Sequence, residues 1–269
     1  MTILNKGDYI KDLRISSNKT QPDFCKGICS PIFLSRIENN QKSISGQTFV
    51  SLCKKNHHSI YPSNLDISKL IKQTRLNSGI SQKKLCTGLC SRSTLSKIEN
   101  QIIDPSPLLL EALLERSGFY DPVTPLWGNK AEMNISIIKN IILNETISAD
   151  NHIDVSNLND PYDIKFHSQV IHTYDAIVHR PFDDELLLNA LKITQPHIDI
   201  YNFSNMYLTQ LELFLLIKHV KVLIHQHQIT TIDTEIHEIC KYFKTNEYAR
   251  KYSSMFPKFI SIYLQYINS

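Results

Sequence analysis

The chain is short of the residues from which phosphate-cradling loops are made. Only 7 of its 269 residues are glycine, and none lies beyond Gly128. No P-loop and no dinucleotide-binding loop occurs, so nucleotide chemistry of either type is excluded. Long apolar runs are missing too. The most apolar stretch, Leu211 to Ile224, is interrupted by Lys218, His219 and Lys221, too soon to span a bilayer. The opening MTILNKGDYI carries charge early and has no apolar segment of the kind a signal peptide needs. The chain is therefore expected to be cytoplasmic. Cysteine is scarce, and five of the 6 lie between Cys25 and Cys90. Cys25/Cys29 and Cys86/Cys90 are each one helical turn apart, a spacing open to a metal or a disulfide. All four fall where small buried groups are needed, and free cysteine is commonly buried, so they read as core. With no metal motif and no nucleophile constellation, neither enzymatic activity nor a cofactor is expected.

Acidic residues are few in the front half and basic ones fewer than acidic in the back. Up to Phe119 there are 17 Lys/Arg against 9 Asp/Glu, and from Tyr120 onward 12 against 17. A basic front half suits a polyanion, and an acidic back half does not. Acidic helices can equally be a solvated surface, so charge is only supporting evidence.

What is present is a duplication. YIKDLRISSNKTQPDFCKGICSPIFLSRIEN (Tyr9 to Asn39) returns sixty-one residues later as LIKQTRLNSGISQKKLCTGLCSRSTLSKIEN (Leu70 to Asn100), with 14 of 31 positions identical and no gap. Each copy has the layout of a helix-turn-helix, which presents a helix to the DNA major groove. In the second copy a first helix ends near Gly79, and Ser81 caps a second. Gly88 permits a tight turn, Ser91 caps the third helix, and a fourth runs from Pro107 to Ser117. Leu85, Cys86, Leu89, Leu95 and Ile98 point inward by period, leaving Arg92, Ser93, Thr94 and Lys97 outward.

The chemistry of that outer face suits DNA. Gln82 and Ser91 sit at helix N-termini where a phosphate is favoured. Arg92 can reach guanine bidentately, Ser93 and Thr94 can read base edges or a thymine methyl, and Lys97 can reach guanine or phosphate. Asn100 closes the set. In the first copy the matching positions are Gln21, Ser30, Ile32, Arg36 and Asn39, with Pro31, Ile32 and Phe33 replacing Arg92, Ser93 and Thr94. Ile32 and Phe33 cannot hydrogen-bond a base edge. Two readings stay open for that copy: a weaker, T-rich half-site reader, or a protein contact. Arg75 with Glu99, and Arg14 with Glu38, are expected to be internal salt bridges between the first and third helices.

Past Asn129 the chain alternates helical stretches with short polar breaks. Helices are expected over Ala131–Glu145, Tyr162–His179, Asp183–Gln195, Met206–Gln228, Thr234–Lys244 and Tyr248–Tyr266. Paired antiparallel helices in this order suggest a solenoid. The nine histidines of this half, His225 and His227 among them, read as solvated helix faces. The fold class is all-α, with two tandem helix-turn-helix domains (1–60, the degenerate copy, and 61–120) followed by a helical repeat domain (129–269).

These residues resemble the Xre-type repressor fold, and more closely the Rgg/PlcR-type peptide-responsive regulators. The specific point is the short turn, G-I-C-S at Gly27 to Ser30 and G-L-C-S at Gly88 to Ser91. SISGQTFVSLCKK and DPSPLLLEALLERSGF each look like that family's fourth helix. LTQLELFLLIKHVKVLIHQHQ followed by TEIHEICKYF is similar to its tetratricopeptide-like pairs, and MFPKFISIYLQYI to the start of a later pair. The resemblance implies a DNA-binding transcriptional regulator, quorum sensing through a short signalling peptide bound on the helical repeats, and a homodimer. Two helix-turn-helix units in one chain depart from the family's single copy. Two rivals remain: an antitoxin or anti-regulator gripping a protein partner, and a ligand-independent phage-type repressor.

Overall fold

The computed structural model describes residues 6–42, 44–56, 67–103, 105–119, 130–146, 165–227 and 229–267. The first five residues, residues 57–66 between the repeats, the start of the helix expected from Tyr162, and Gln228 lie outside them. The described residues form fifteen helices and no strand, in agreement with the all-α expectation.

The first repeat folds as α1 (Lys6–Ser16), α2 (Gln21–Cys25), α3 (Pro31–Glu38) and α4 (Gly46–Lys55). The second folds as α5 (Ile67–Asn77), α6 (Gln82–Cys86), α7 (Arg92–Glu99) and α8 (Pro107–Arg116). Each boundary has a local cause. The hydroxyls of Thr20 and Ser81 accept from the backbone N–H groups of Asp23 and Lys84, at 3.4 and 3.3 Å. Ser30 and Ser91 do the same for Phe33 and Thr94, at 3.2 and 3.0 Å. Left-handed backbone recurs at paired positions, Asn18 with Gly79, Gly27 with Gly88, and Asn40 with Gln101. The sequence repeat is thus a repeat of backbone geometry.

The two units differ in where their cores end. Ile10, Phe24, Cys25, Leu34 and Ile37 belong to a small cluster completed by α4. Their counterparts Ile71, Leu85, Cys86, Leu95 and Ile98 belong to a large cluster that continues without interruption into the C-terminal half. Cys29 and Cys90 are half-buried free thiols; burial, then the neighbouring Cys25 and Cys86, push them up to about 11 and about 12. At neutral pH they are protonated core groups.

The C-terminal half consists of α9 (Lys130–Asn144), α10 (Lys165–His179), α11 (Asp184–Thr194), α12 (Gln210–His225), α13 (Ile229–Thr245), α14 (Glu247–Tyr252) and α15 (Met255–Ile267). From α9 to α13 each helix packs on the next, the contact order of a solenoid. α12 is central: it also touches α9, and α15 folds back onto it. Three expectations need correction. The helix expected from Met206 starts at Gln210 because Thr209 and Glu212 form a capping box, each side chain accepting the other's backbone N–H, at 3.2 and 2.7 Å. The stretch Tyr248–Tyr266 is two helices, since Ser253 leaves helical geometry at ψ 134° and its hydroxyl caps the N–H of Met255 at 3.1 Å. The histidines are not all solvated: His167 and His219 are buried, and His219 Nδ1 lies 2.9 Å from both carboxylate oxygens of Glu235. Part of the acidic excess is likewise internal, with Glu132, Glu212, Glu235 and Glu238 all buried.

Candidate nucleic-acid interface

α7 is short, with an apolar inner side and a hydrophilic outer one. Leu95 and Ile98 are fully buried beneath it. Arg92, Ser93, Lys97 and Asn100 are exposed, as is the capping residue Ser91, and Thr94 is half-buried. The C-terminal half leaves these side chains uncovered. Ser91 Oγ lies 2.8 Å from the hydroxyls of both Ser93 and Thr94. Three hydroxyls are thereby gathered at the N-terminus of the helix, where N–H groups and the helix dipole favour an anion.

What fixes α7 is a buried ion pair. Arg75 on α5 donates from Nε and Nη2 to the two oxygens of Glu99 on α7, at 2.5 and 2.9 Å, and from Nη1 to the carbonyl of Ile80 at 3.0 Å. Both side chains are nearly inaccessible, at 10 % and 2 %. Burial opposes ionisation of Glu99, but the hydrogen bonds from Arg75 and Gln82 and the charges of Arg75 and Lys72 prevail, holding its pKa below the ordinary value. Arg14 and Glu38 reproduce the fork in the first unit, at 2.6 and 2.9 Å. Both copies thus carry a bidentate Arg–Glu fork between the first and third helices.

Gln82 takes a double role. Its amide N–H donates to Glu99 Oε2 at 2.8 Å, and Gln21 does the same to Glu38 at 2.8 Å. One amide hydrogen in each unit is thus committed internally, orienting the side chain at the start of the second helix. The other is left for an external acceptor.

The first unit presents the same scaffold with a different face. Ser30, Pro31, Ile32, Arg36 and Asn39 are exposed, Ile32 to 70 %. Phe33 is half-buried, with the Lys42 ammonium 5.0 Å from its ring centre, so the apolar surface on α3 centres on Ile32.

Residues 71–117 match the family described as Helix-turn-helix (HTH_3). They form a helix-turn-helix domain. The match runs from Ile71 in α5 to Ser117 just past α8, and it contains every residue of the α7 outer face. No curated protein matches the chain. Among solved structures the chain aligns with Bacillus thuringiensis PlcR in complex with the peptide PapR7 and DNA. That alignment covers 98 % of this chain and 95 % of the other, with 16 % identity and a TM-score of 0.23, too low for the arrangement of the two chains to be compared.

Sequence reasoning missed the attachment of this helix-turn-helix domain to the C-terminal half. Arg116, at the end of α8, is wholly buried. Its Nη1 donates to the carbonyls of Leu85 and Thr87, which close α6. Its Nε and Nη2 face Glu212 at the start of α12, where Nε lies 3.3 Å from Oε2. Glu212 also accepts from Thr194 Oγ1 at 2.6 Å and Gln195 Nε2 at 3.2 Å. A second ion pair, Lys139 to Glu115 at 2.9 Å, joins α9 to α8, and Glu115 also accepts the backbone N–H of Gln210 at 2.9 Å. Gly88 in the turn lies so close to α11 that a Cβ there would sit 1.7 Å from the Thr194 carbonyl oxygen. A cleft of about 410 Å³ opens along the same seam, with Asn77, Ser78 and Gly118 on one side and Asn205, Tyr207 and Tyr248 on the other.

Proposed function

We propose that this chain is a sequence-specific DNA-binding transcriptional regulator, with α7 reading base edges in the major groove. The observation that carries the reading is the exposed set Arg92, Ser93, Lys97 and Asn100 on a helix aligned from behind by a buried, two-pronged ion pair. A rigid support is what readout needs, because bidentate hydrogen bonds discriminate bases only when the donor is held in register. Gln82 and Ser91 touch phosphates on either side of the turn. In the first unit Gln21, Ser30, Arg36 and Asn39 hold the backbone, while Ile32 presses on thymine methyls.

The C-terminal helices are the sensing half. A short peptide bound on them controls the DNA-bound population by favouring one arrangement over another, and the chain works as a homodimer in the cytoplasm. The peptide and the homodimer rest on the resemblance of the sequence to Rgg/PlcR-type regulators, and the location on the charged opening and interrupted apolar runs of the sequence. Among the described residues no helix is long and apolar enough to cross a membrane.

Selection of bound sequences from random DNA, with each unit disabled in turn, tests the reading. A defined motif that disappears with the Arg92 and Lys97 substitutions is expected. Enrichment of no sequence, or of the same sequence without those side chains, overturns it.

A further inference from the structure

We infer that Arg116 and Glu212 form a positioning joint that makes the second helix-turn-helix domain and the C-terminal half one thermodynamic body, so that DNA binding at α7 and any event at the start of α12 are coupled. The inference rests on the DNA-binding reading of α7. It assigns to these two residues the regulation of that site.

The geometry is that of a clamp rather than a surface contact. Arg116 holds the last carbonyls of α6 and Glu212 at once, with both side chains at 0 % exposure. Neither can move without leaving a buried charge uncompensated. Glu212 is tied in turn to the end of α11 through Thr194 and Gln195 and to its own cap through the N–H of Thr209. The α6–α7 turn that Arg116 grips is the one in which Gly88 meets the Thr194 carbonyl. A tilt of α11 or α12 therefore acts on the turn immediately before the reading helix.

The first unit shows the same parts without the joint. Lys55 occupies the position of Arg116, sixty-one residues earlier, and its ammonium reaches the end of α2, at the carbonyl of Lys26 (the counterpart of Thr87) at 2.6 Å and that of Asp23 at 3.2 Å. Lys55 is exposed, and a Cβ added at Gly27, the counterpart of Gly88, would meet nothing within 4 Å. Its core is a separate cluster. A cation at this position thus completes the helix-turn-helix fold in either unit. In the second unit a guanidinium with a spare edge also grips a carboxylate, which a single ammonium cannot do as a fork.

The test uses the full chain, Arg116→Lys, Glu212→Gln and a duplex selected from random DNA. In the wild type, the second unit and the C-terminal half are expected to melt as one transition, which the duplex raises as a whole. In Arg116→Lys the second unit keeps its fold, as Lys55 allows in the first, and melts separately, so that the duplex raises only that smaller transition. Glu212→Gln, which retains a capping side chain at the third helical position, is expected to do the same. A single joint transition that merely moves down, and that the duplex still raises as a whole, overturns the joint. Hydrogen exchange on the wild type needs no variant. With duplex at about 100 times its Kd, exchange that requires opening of the joint body slows about 100-fold, at Thr194 and Glu212 as well as in α7. Protection of α7 alone overturns the coupling. No protection anywhere refutes instead the DNA-binding reading on which it rests.

Discussion

Gly27 and Gly88 occupy the same turn of two copies of one unit, both with left-handed backbone at φ +78° and +68°. Replacing each by asparagine separates conformational strain from docking. Asparagine tolerates this region at little cost, as Asn18 does here at φ 49°. At Gly27 the new Cβ meets no atom within 4 Å, so Gly27→Asn should change stability by no more than about 0.5 kcal/mol. At Gly88 the Cβ would stand 1.7, 2.4 and 2.8 Å from the O, C and Cα of Thr194. These are backbone atoms at the end of α11, so no side chain can swing aside. Overpacking alone costs about 1–3 kcal/mol. Moving Thr194 also pulls its hydroxyl from Glu212 and loosens the buried pair with Arg116. We expect about 2–4 kcal/mol for Gly88→Asn, read by calorimetry or urea unfolding. For a body of this size each kcal/mol is worth about 2–4 °C in Tm. Equal effects of the two substitutions would refute the close approach of the turn to α11, and with it the account of a docked second unit.

Four further outcomes are expected. Arg92→Ala or Lys97→Ala should relax base preference by about 1–3 kcal/mol in competition binding; unchanged ranking of operator variants would remove those residues from the readout. Arg75→Ala leaves Glu99 buried without its cation and should cost about 3–5 kcal/mol of stability. A normal melting curve with lost DNA binding would instead make Arg75 a phosphate contact. Affinity should fall linearly on a log–log plot against salt, as it does when several phosphates are neutralised; a flat response rules out a backbone-anchored complex. Glu99 has its pKa lowered in the fold. Its contribution is complete above the ordinary carboxylate pKa of about 4.3 and is lost as the pH falls through the lowered value. Wild-type Tm should thus drop more steeply in acid than that of Glu99→Gln, and parallel acid curves would contradict this.

Local signals carried most of the helix-turn-helix geometry. Capping hydroxyls at Thr20, Ser30, Ser81 and Ser91 mark helix starts by chemistry that acts within three residues, and apolar period separates Leu95 and Ile98 from Arg92 and Lys97. The duplication sharpened both. The Arg75–Glu99 and Arg14–Glu38 pairs were legible because charge recurred at matched positions, twenty-four residues apart. Boundaries failed where a cap interrupts a continuous helical pattern. The Thr209–Glu212 box starts α12 past the apolar residues that extend its pattern back to Met206, and Ser253 breaks a stretch whose composition favours one helix. His219, read with the other histidines as solvated, is buried against Glu235, since a polar residue on a helix has no sequence mark of its partner on another helix.

The sequence by itself determined the repeated four-helix unit, the residues that each inner face buries and the cations and hydroxyls left on α7, because all of these follow from interactions between near neighbours in the chain. Tertiary structure alone decided that the two copies part company: one keeps a core of its own, while the other is fused to the C-terminal half. That outcome turns on Arg116 meeting Glu212 and Gly88 meeting Thr194, pairs about a hundred residues apart. Pairing over such a distance depends on how whole helices stack, which no local pattern encodes.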